Sequence, residues 1–118
     1  MLDLKLKPLR IVAGWTVVSN RLYDLACVNK ETVEGKQIYK LYYLDEDLLT
    51  LRNSDISLYI DWLPANNLDG RYVLAIQNDE NLKIKTLAES YDLNEICESM
   101  EKWIQEIYPN SDASKLFK

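Results

Sequence analysis

Asp55-Ile56-Ser57-Leu58-Tyr59-Ile60-Asp61-Trp62 alternates with a period of two, placing Ile56, Leu58, Ile60 and Trp62 on one side and Ser57, Tyr59 and Asp61 on the other. That period marks a half-buried β-strand. The following Pro64-Ala65-Asn66-Asn67-Leu68-Asp69-Gly70 is turn chemistry, because Pro fixes φ while Asn, Asp and Gly tolerate left-handed backbone. Arg71 to Gln77 reads as a second strand. Its Tyr72, Leu74 and Ile76 alternate with Val73 and Ala75, so both faces are apolar and the strand is expected to be interior. Asn78-Asp79-Glu80-Asn81 makes a second turn, and Leu82 to Leu87 a third strand. Its Lys83 and Lys85 share one side, which predicts an edge strand with that face open to water.

The rest of the chain is expected to pair with this meander or cover it. Leu2, Leu4 and Leu6 suggest a first strand limited by Pro8, Trp15 to Val18 a second, and Leu22 to Val28 a third, with helix as the alternative over residues 20–28. Asn29 to Gly35 reads as a loop and Lys36 to Leu44 as a fairly central strand. Leu48 to Arg52 is either a short strand or a helical turn leading into the meander. Near the C-terminus, Leu93, Ile96, Cys97, Met100, Trp103, Ile104 and Ile107 form one stripe of an amphipathic helix. Asp92 is its expected N-cap, Glu95 the capping-box partner, Tyr91 and Ile96 the hydrophobic staple, and Pro109 its end. The stripe predicts that Leu93, Ile96, Met100, Trp103 and Ile107 are buried against the sheet. The fold expected is a single α+β domain over residues 1–118: a mainly antiparallel sheet meander covered by one C-terminal amphipathic helix.

Composition narrows function mostly by exclusion. The 118 residues are 47% hydrophobic and 28% charged, as in an ordinary globular domain. No apolar run is long enough to span a bilayer, and the alternating N-terminus does not resemble a signal peptide, so a cytoplasmic protein without membrane contact is expected. Cys27 and Cys97 are then expected to be unpaired thiols. There is no histidine, which removes Ser-His and Cys-His pairs and the commonest zinc ligand. Three glycines are too few for a phosphate cradle. No catalytic residue, cofactor or metal site is predicted, and a non-enzyme is expected. Net charge is −5, which disfavours nucleic acid as a partner. Residues 1–40 carry seven basic and four acidic side chains, and residues 41–118 seven and fifteen. A basic partner therefore suits the later part of the chain.

Three motifs are each weighed against a plainer role. Asp45-Glu46-Asp47 has carboxylates for a divalent cation but lacks EF-hand spacing, so a solvated turn is the better reading. Asp61 and Asp69 offer carboxylates for acid–base work, but nothing in the sequence places them face to face. Trp62 ends a strand just before a loop, where either core packing or an exposed interface position is open to it. A partner-binding surface is expected from Asp45, Glu46, Asp47 and Asp61, with Tyr59 and Trp62 as aromatic anchors. It requires the turn after Leu44 to lie near the end of the strand at Trp62.

Gly14-Trp15-Thr16-Val17-Val18-Ser19-Asn20 with Tyr23-Asp24, then Asp47-Leu48-Leu49-Thr50-Leu51, then Ile60-Asp61-Trp62-Leu63-Pro64 with Asp69-Gly70-Arg71-Tyr72-Val73-Leu74, resemble a family of small bacterial immunity proteins against polymorphic toxins. The resemblance covers about residues 14–77 and implies an inhibitor that occludes a cognate toxin, a basic nuclease being one such partner. It carries over no site residues. A regulatory or accessory domain that pairs with another protein, or with itself as a weak homodimer, through its sheet edge is the alternative.

Overall fold

The computed structural model describes residues 6–11, 13–23, 44–67, 69–110 and 117. Among them, five strands form one antiparallel sheet in sequence order: β1 (Thr16–Asn20), β2 (Leu49–Asn53), β3 (Ile56–Leu63), β4 (Arg71–Asn78) and β5 (Ile84–Ser90). One α-helix, α1 (Leu93–Lys102), follows and covers one face of the sheet, continuing as a π-helical turn over Trp103–Ile107 and a 3₁₀ turn over Tyr108–Asn110. The fold is α+β, an antiparallel meander covered by one C-terminal helix, as the periodicities predict.

The alternation in β3 sets the two faces. Leu58 pairs with Leu51 and Ile76, Ile60 with Leu49 and Leu74, and Trp62 with Tyr72. Leu49, Leu51, Leu58, Ile60, Leu74 and Ile76 are all fully buried. The segment 48–52, left open between strand and helical turn, is a strand from Leu49 onward, β2, joined to β3 by a two-residue hairpin with Ser54 in the left-handed region (φ 53°). β4 is interior, as expected from its apolar faces.

Among the described residues β5 is an edge strand as predicted, but it runs from Ile84 to Ser90 rather than from Leu82 to Leu87. The Asn78 side chain accepts the N–H groups of Glu80 (2.9 Å) and Asn81 (3.3 Å), and its carbonyl accepts that of Leu82 (2.8 Å). The turn thereby absorbs Leu82, which takes a positive φ of 61°. The strand then extends to pair Ser90 with Tyr72, while Arg71 and Glu89 form an ion pair at 3.0 Å. The expected water-facing lysine side is also corrected. Lys85 pairs with Ile76 on the helix side, while Ile84 pairs with Gln77 on the opposite face and is exposed.

Helix α1 begins as predicted at Asp92, whose carboxylate accepts the Asn94 N–H at 3.0 Å. The rest of the expected cap does not form. The Asp92 N–H donates to Ser90 Oγ at 3.0 Å, where the capping box would have used Glu95, and Tyr91 is 73% exposed, so it is no staple. Ile96, Cys97, Met100, Trp103 and Ile104 are buried and Leu93 is half-buried. Ile107, expected in the core, is 45% exposed. The Tyr108 N–H donates to the Trp103 carbonyl, a five-residue step that shifts the phase of the last turn and carries Ile107 out of the stripe. Trp15, Trp103 and Tyr108 contact one another with ring centroids 5.2 to 6.1 Å apart, tying this end of the helix to the start of β1.

The expected strand at Leu2 to Leu6 falls within the described residues only at Leu6, which bridges Tyr23. Most of the strand at Leu22 to Val28, the strand from Lys36 as far as Tyr43, and Cys27 lie outside them, so the thiol expectation reaches only Cys97, which is buried.

Two substitutions test this packing by denaturant unfolding. Trp103→Ala should lower stability by about 3–5 kcal/mol, the range for truncating a large core aromatic; an unchanged midpoint would contradict its place in the core. A Cβ at the buried Gly70 would collide with the Trp62 indole nitrogen and lie 2.9 Å from the carbonyl oxygens of Leu63 and Pro64. Gly70→Ala should therefore cost about 1–3 kcal/mol, as overpacking does.

Candidate functional site

Because Leu58, Ile60 and Trp62 occupy the core face of β3, Tyr59 and Asp61 must project from the other face. The segment before β2 runs beside them. Leu44 and Leu48 are both buried and act as its anchors, while Glu46 and Asp47 between them are exposed. Backbone bonds hold the segment to the end of β3: the Trp62 N–H donates to the Asp45 carbonyl (2.9 Å) and the Leu48 N–H to the Ile60 carbonyl (3.0 Å). The turn after Leu44 and the end of the strand at Trp62 are therefore adjacent, the condition on which the predicted surface rested.

Asp47 adopts a positive φ of 55°, and its N–H donates to Asp61 Oδ1 at 2.7 Å. Asp45 Oδ1 accepts the Glu46 N–H at 2.7 Å. Arg21 braces the turn from β1's side, its Nη2 donating to the Glu46 carbonyl at 3.0 Å and its N–H to the Leu48 carbonyl at 2.6 Å. These contacts bring Asp45, Glu46, Asp47 and Asp61 into one acidic ledge, with Tyr59 near enough to feel the charges of Asp61 and Asp47.

Asp61 is half-buried, and that burial pushes its carboxyl above the ordinary range. The bond from the Asp47 N–H pulls the other way, and the charges of Asp47 and Glu46 add to the upward shift. Tyr59 is likewise shifted upward, first by burial and then by Asp61 and Asp47. The ledge thus concentrates negative charge where one carboxylate is already partly withdrawn from water. A cationic side chain placed against it would relieve the repulsion and gain charge-assisted hydrogen bonds.

Trp62 does not belong to this surface. It is 6% exposed, its Nε1 donates to the Asn67 carbonyl at 2.7 Å, and its ring meets Tyr72 edge-on at 4.9 Å. The same alternation that puts Tyr59 on the opposite face turns Trp62 inward, so its expected role as an anchor is corrected to core packing. Asp69 lies in the separate turn after β3, its N–H donating to Asn67 Oδ1 at 2.9 Å. No group of three or more carboxylates or cysteines among the described residues is placed to hold a metal ion. Arg21 was not foreseen. It lies 25 residues before Glu46, and only tertiary folding joins them.

The upward shift at Asp61 has a definite sign. A group that binds its proton more tightly in the folded state contributes stability below its unfolded pKa and loses that contribution as pH rises through the folded value. Asp61→Asn retains an oxygen to accept the Asp47 N–H and removes the charge. Its stability relative to wild type should therefore rise as pH increases from about 3.8 upward. Parallel denaturation curves across that window would test it, and a constant difference would remove the electrostatic account.

Comparison of the chain with protein families, curated proteins and solved structures finds no match, so the reading of the ledge rests on its own chemistry.

Proposed function

We propose that the protein is a non-catalytic, immunity-type binding protein whose acidic ledge docks on a basic surface of a cognate bacterial toxin and occludes it. The observation that carries this reading is the 2.7 Å bond between the Asp47 N–H and the Asp61 carboxylate. It fixes the turn against β3 and holds several carboxylates on one surface at the folding stage, before any partner arrives. A preformed acidic surface steers a basic partner and raises its association rate. A nuclease suits such a surface, since its cleft must be cationic to hold phosphates.

A second reading has its own support. Among the described residues β5 is a sheet edge, and Leu82 just before it and Ile84 at its start are 67% and 60% exposed. An accessory domain would use that edge to add a strand from another protein or a second copy.

The direct test pairs this protein with a secreted protein bearing a C-terminal toxin domain encoded beside its gene. Binding and protection are expected; a purified pair that neither binds nor protects would refute the immunity reading. The double variant Glu46→Lys with Asp47→Asn suits the ledge better than reversal at Asp45, because the Asp45 carboxylate accepts a backbone N–H and Asn tolerates the φ at residue 47. Association of this variant should slow at least tenfold at low salt, with the difference shrinking as salt is added. If Ile84→Lys abolishes binding while the ledge variant does not, the edge reading replaces it.

A further inference from the structure

We propose that residues 6–11 form a strap over one flank of α1, which opens and closes as a unit while the sheet stays folded and so gates access to the Cys97 thiol. The segment alternates: Lys7, Leu9 and Ile11 are half-buried, while Leu6, Pro8 and Arg10 are exposed. Leu9 and Ile11 pack against the core. Two polar contacts lay the segment along the helix. Lys7 Nζ donates to Asn94 Oδ1, and the Arg10 N–H donates to Glu101 Oε1 at 3.0 Å. Lys7 to Arg10 covers about 10 Å of extended chain, and Asn94 to Glu101 about 10 Å of helix axis. Strap and helix therefore run side by side, in the same direction.

Cys97 lies on the flank that this path closes. It stands three residues after Asn94 and four before Glu101, the spacings that share a helical face. Around the helix it falls between those two residues and the fully buried Ile96, Met100 and Ile104. Its burial, at 5% exposed, is thus burial at the margin of the core, on the strap's side.

The strap is held differently from the sheet. β3 pairs with β4 along its whole length. The strap has a bridge at its start, Leu6 with Tyr23, where the Lys7 N–H donates to the Leu22 carbonyl at 2.7 Å. Beyond that bridge, its contacts to α1 end on exposed side chains, and its inward side chains are only half withdrawn from water. Sparse apolar burial and exposed hydrogen bonds mark segments that open at less cost than global unfolding. The far end offers a pivot. Gly14 takes a φ of 100°, and Trp15 beside it is held by Trp103 and Tyr108. Hinges absorb motion at such element-terminal positions. The strap and Cys97 share no residue with the acidic ledge, so the device stands independently of the toxin reading.

The test follows alkylation of Cys97 by N-ethylmaleimide in the intact protein, read by peptide mass spectrometry so that Cys27 is scored separately. At low urea the Cys97 rate should be nearly independent of urea, turning steep only near the unfolding transition. Asn94→Ala with Glu101→Ala removes both side-chain acceptors at positions where alanine favours helix. This double variant should be labelled at least tenfold faster at low urea, still without dependence on urea. A wild-type rate that follows global unfolding at every urea concentration would overturn the proposal. So would wild-type labelling as fast as that of an unfolded peptide, a double variant within twofold of wild type, or a faster rate that carries the steep slope of global unfolding.

Discussion

The alignment of Ile60 between Leu49 and Leu74 is the constraint on which the rest of the structure depends. All three residues are fully buried, and their neighbours in the same register, Leu51, Leu58 and Ile76, are equally buried. A slip of one residue would drive Tyr59 and Asp61 into the core and expose Trp62. The cost of burying a carboxylate without a partner excludes that register far more firmly than hydrogen bonding does, since the backbone ladder could form either way. The helix inherits the same geometry, laying Ile96, Met100 and Trp103 over the face that this register creates.

The acidic ledge follows from that constraint together with a second apolar pattern. Leu44 and Leu48 are drawn into the core, so the residues between them bow outward along the rim of β3. The bowed turn carries a carboxylate at each of its three positions. Like charges at such spacing repel, and the upward shift of Asp61 records that cost along with burial. Arg21 and the backbone bonds to β3 hold the turn in spite of it. A geometry that tolerates its own repulsion is one that a cationic partner can relax.

The side of the sheet by β5 is built differently. There the regular ladder shifts register and the regular helix gives way to a π turn.

Much of this was legible in the order of residues. The period of two in β3, the dense apolar run of β4 and the helical stripe from Leu93 to Ile104 determined the elements, because hydrophobic burial leaves its period in the chain. Asp92 as N-cap was legible for the same local reason. The sequence also determined that Tyr59 and Trp62 lie on opposite faces, which made a single surface using both of them unattainable. Tertiary structure alone decided what depends on distant partners. Leu49–Asn53 became a strand because β1 and β3 flank it on either side. Ser90 took the capping role that Glu95 was suited to fill, because β5 runs straight into the helix. Arg21 reached the acidic turn across 25 residues, and the Asp47 N–H found Asp61 across 14. Such contacts leave no period in the chain, since they are set by which strands become neighbours once the apolar face has closed.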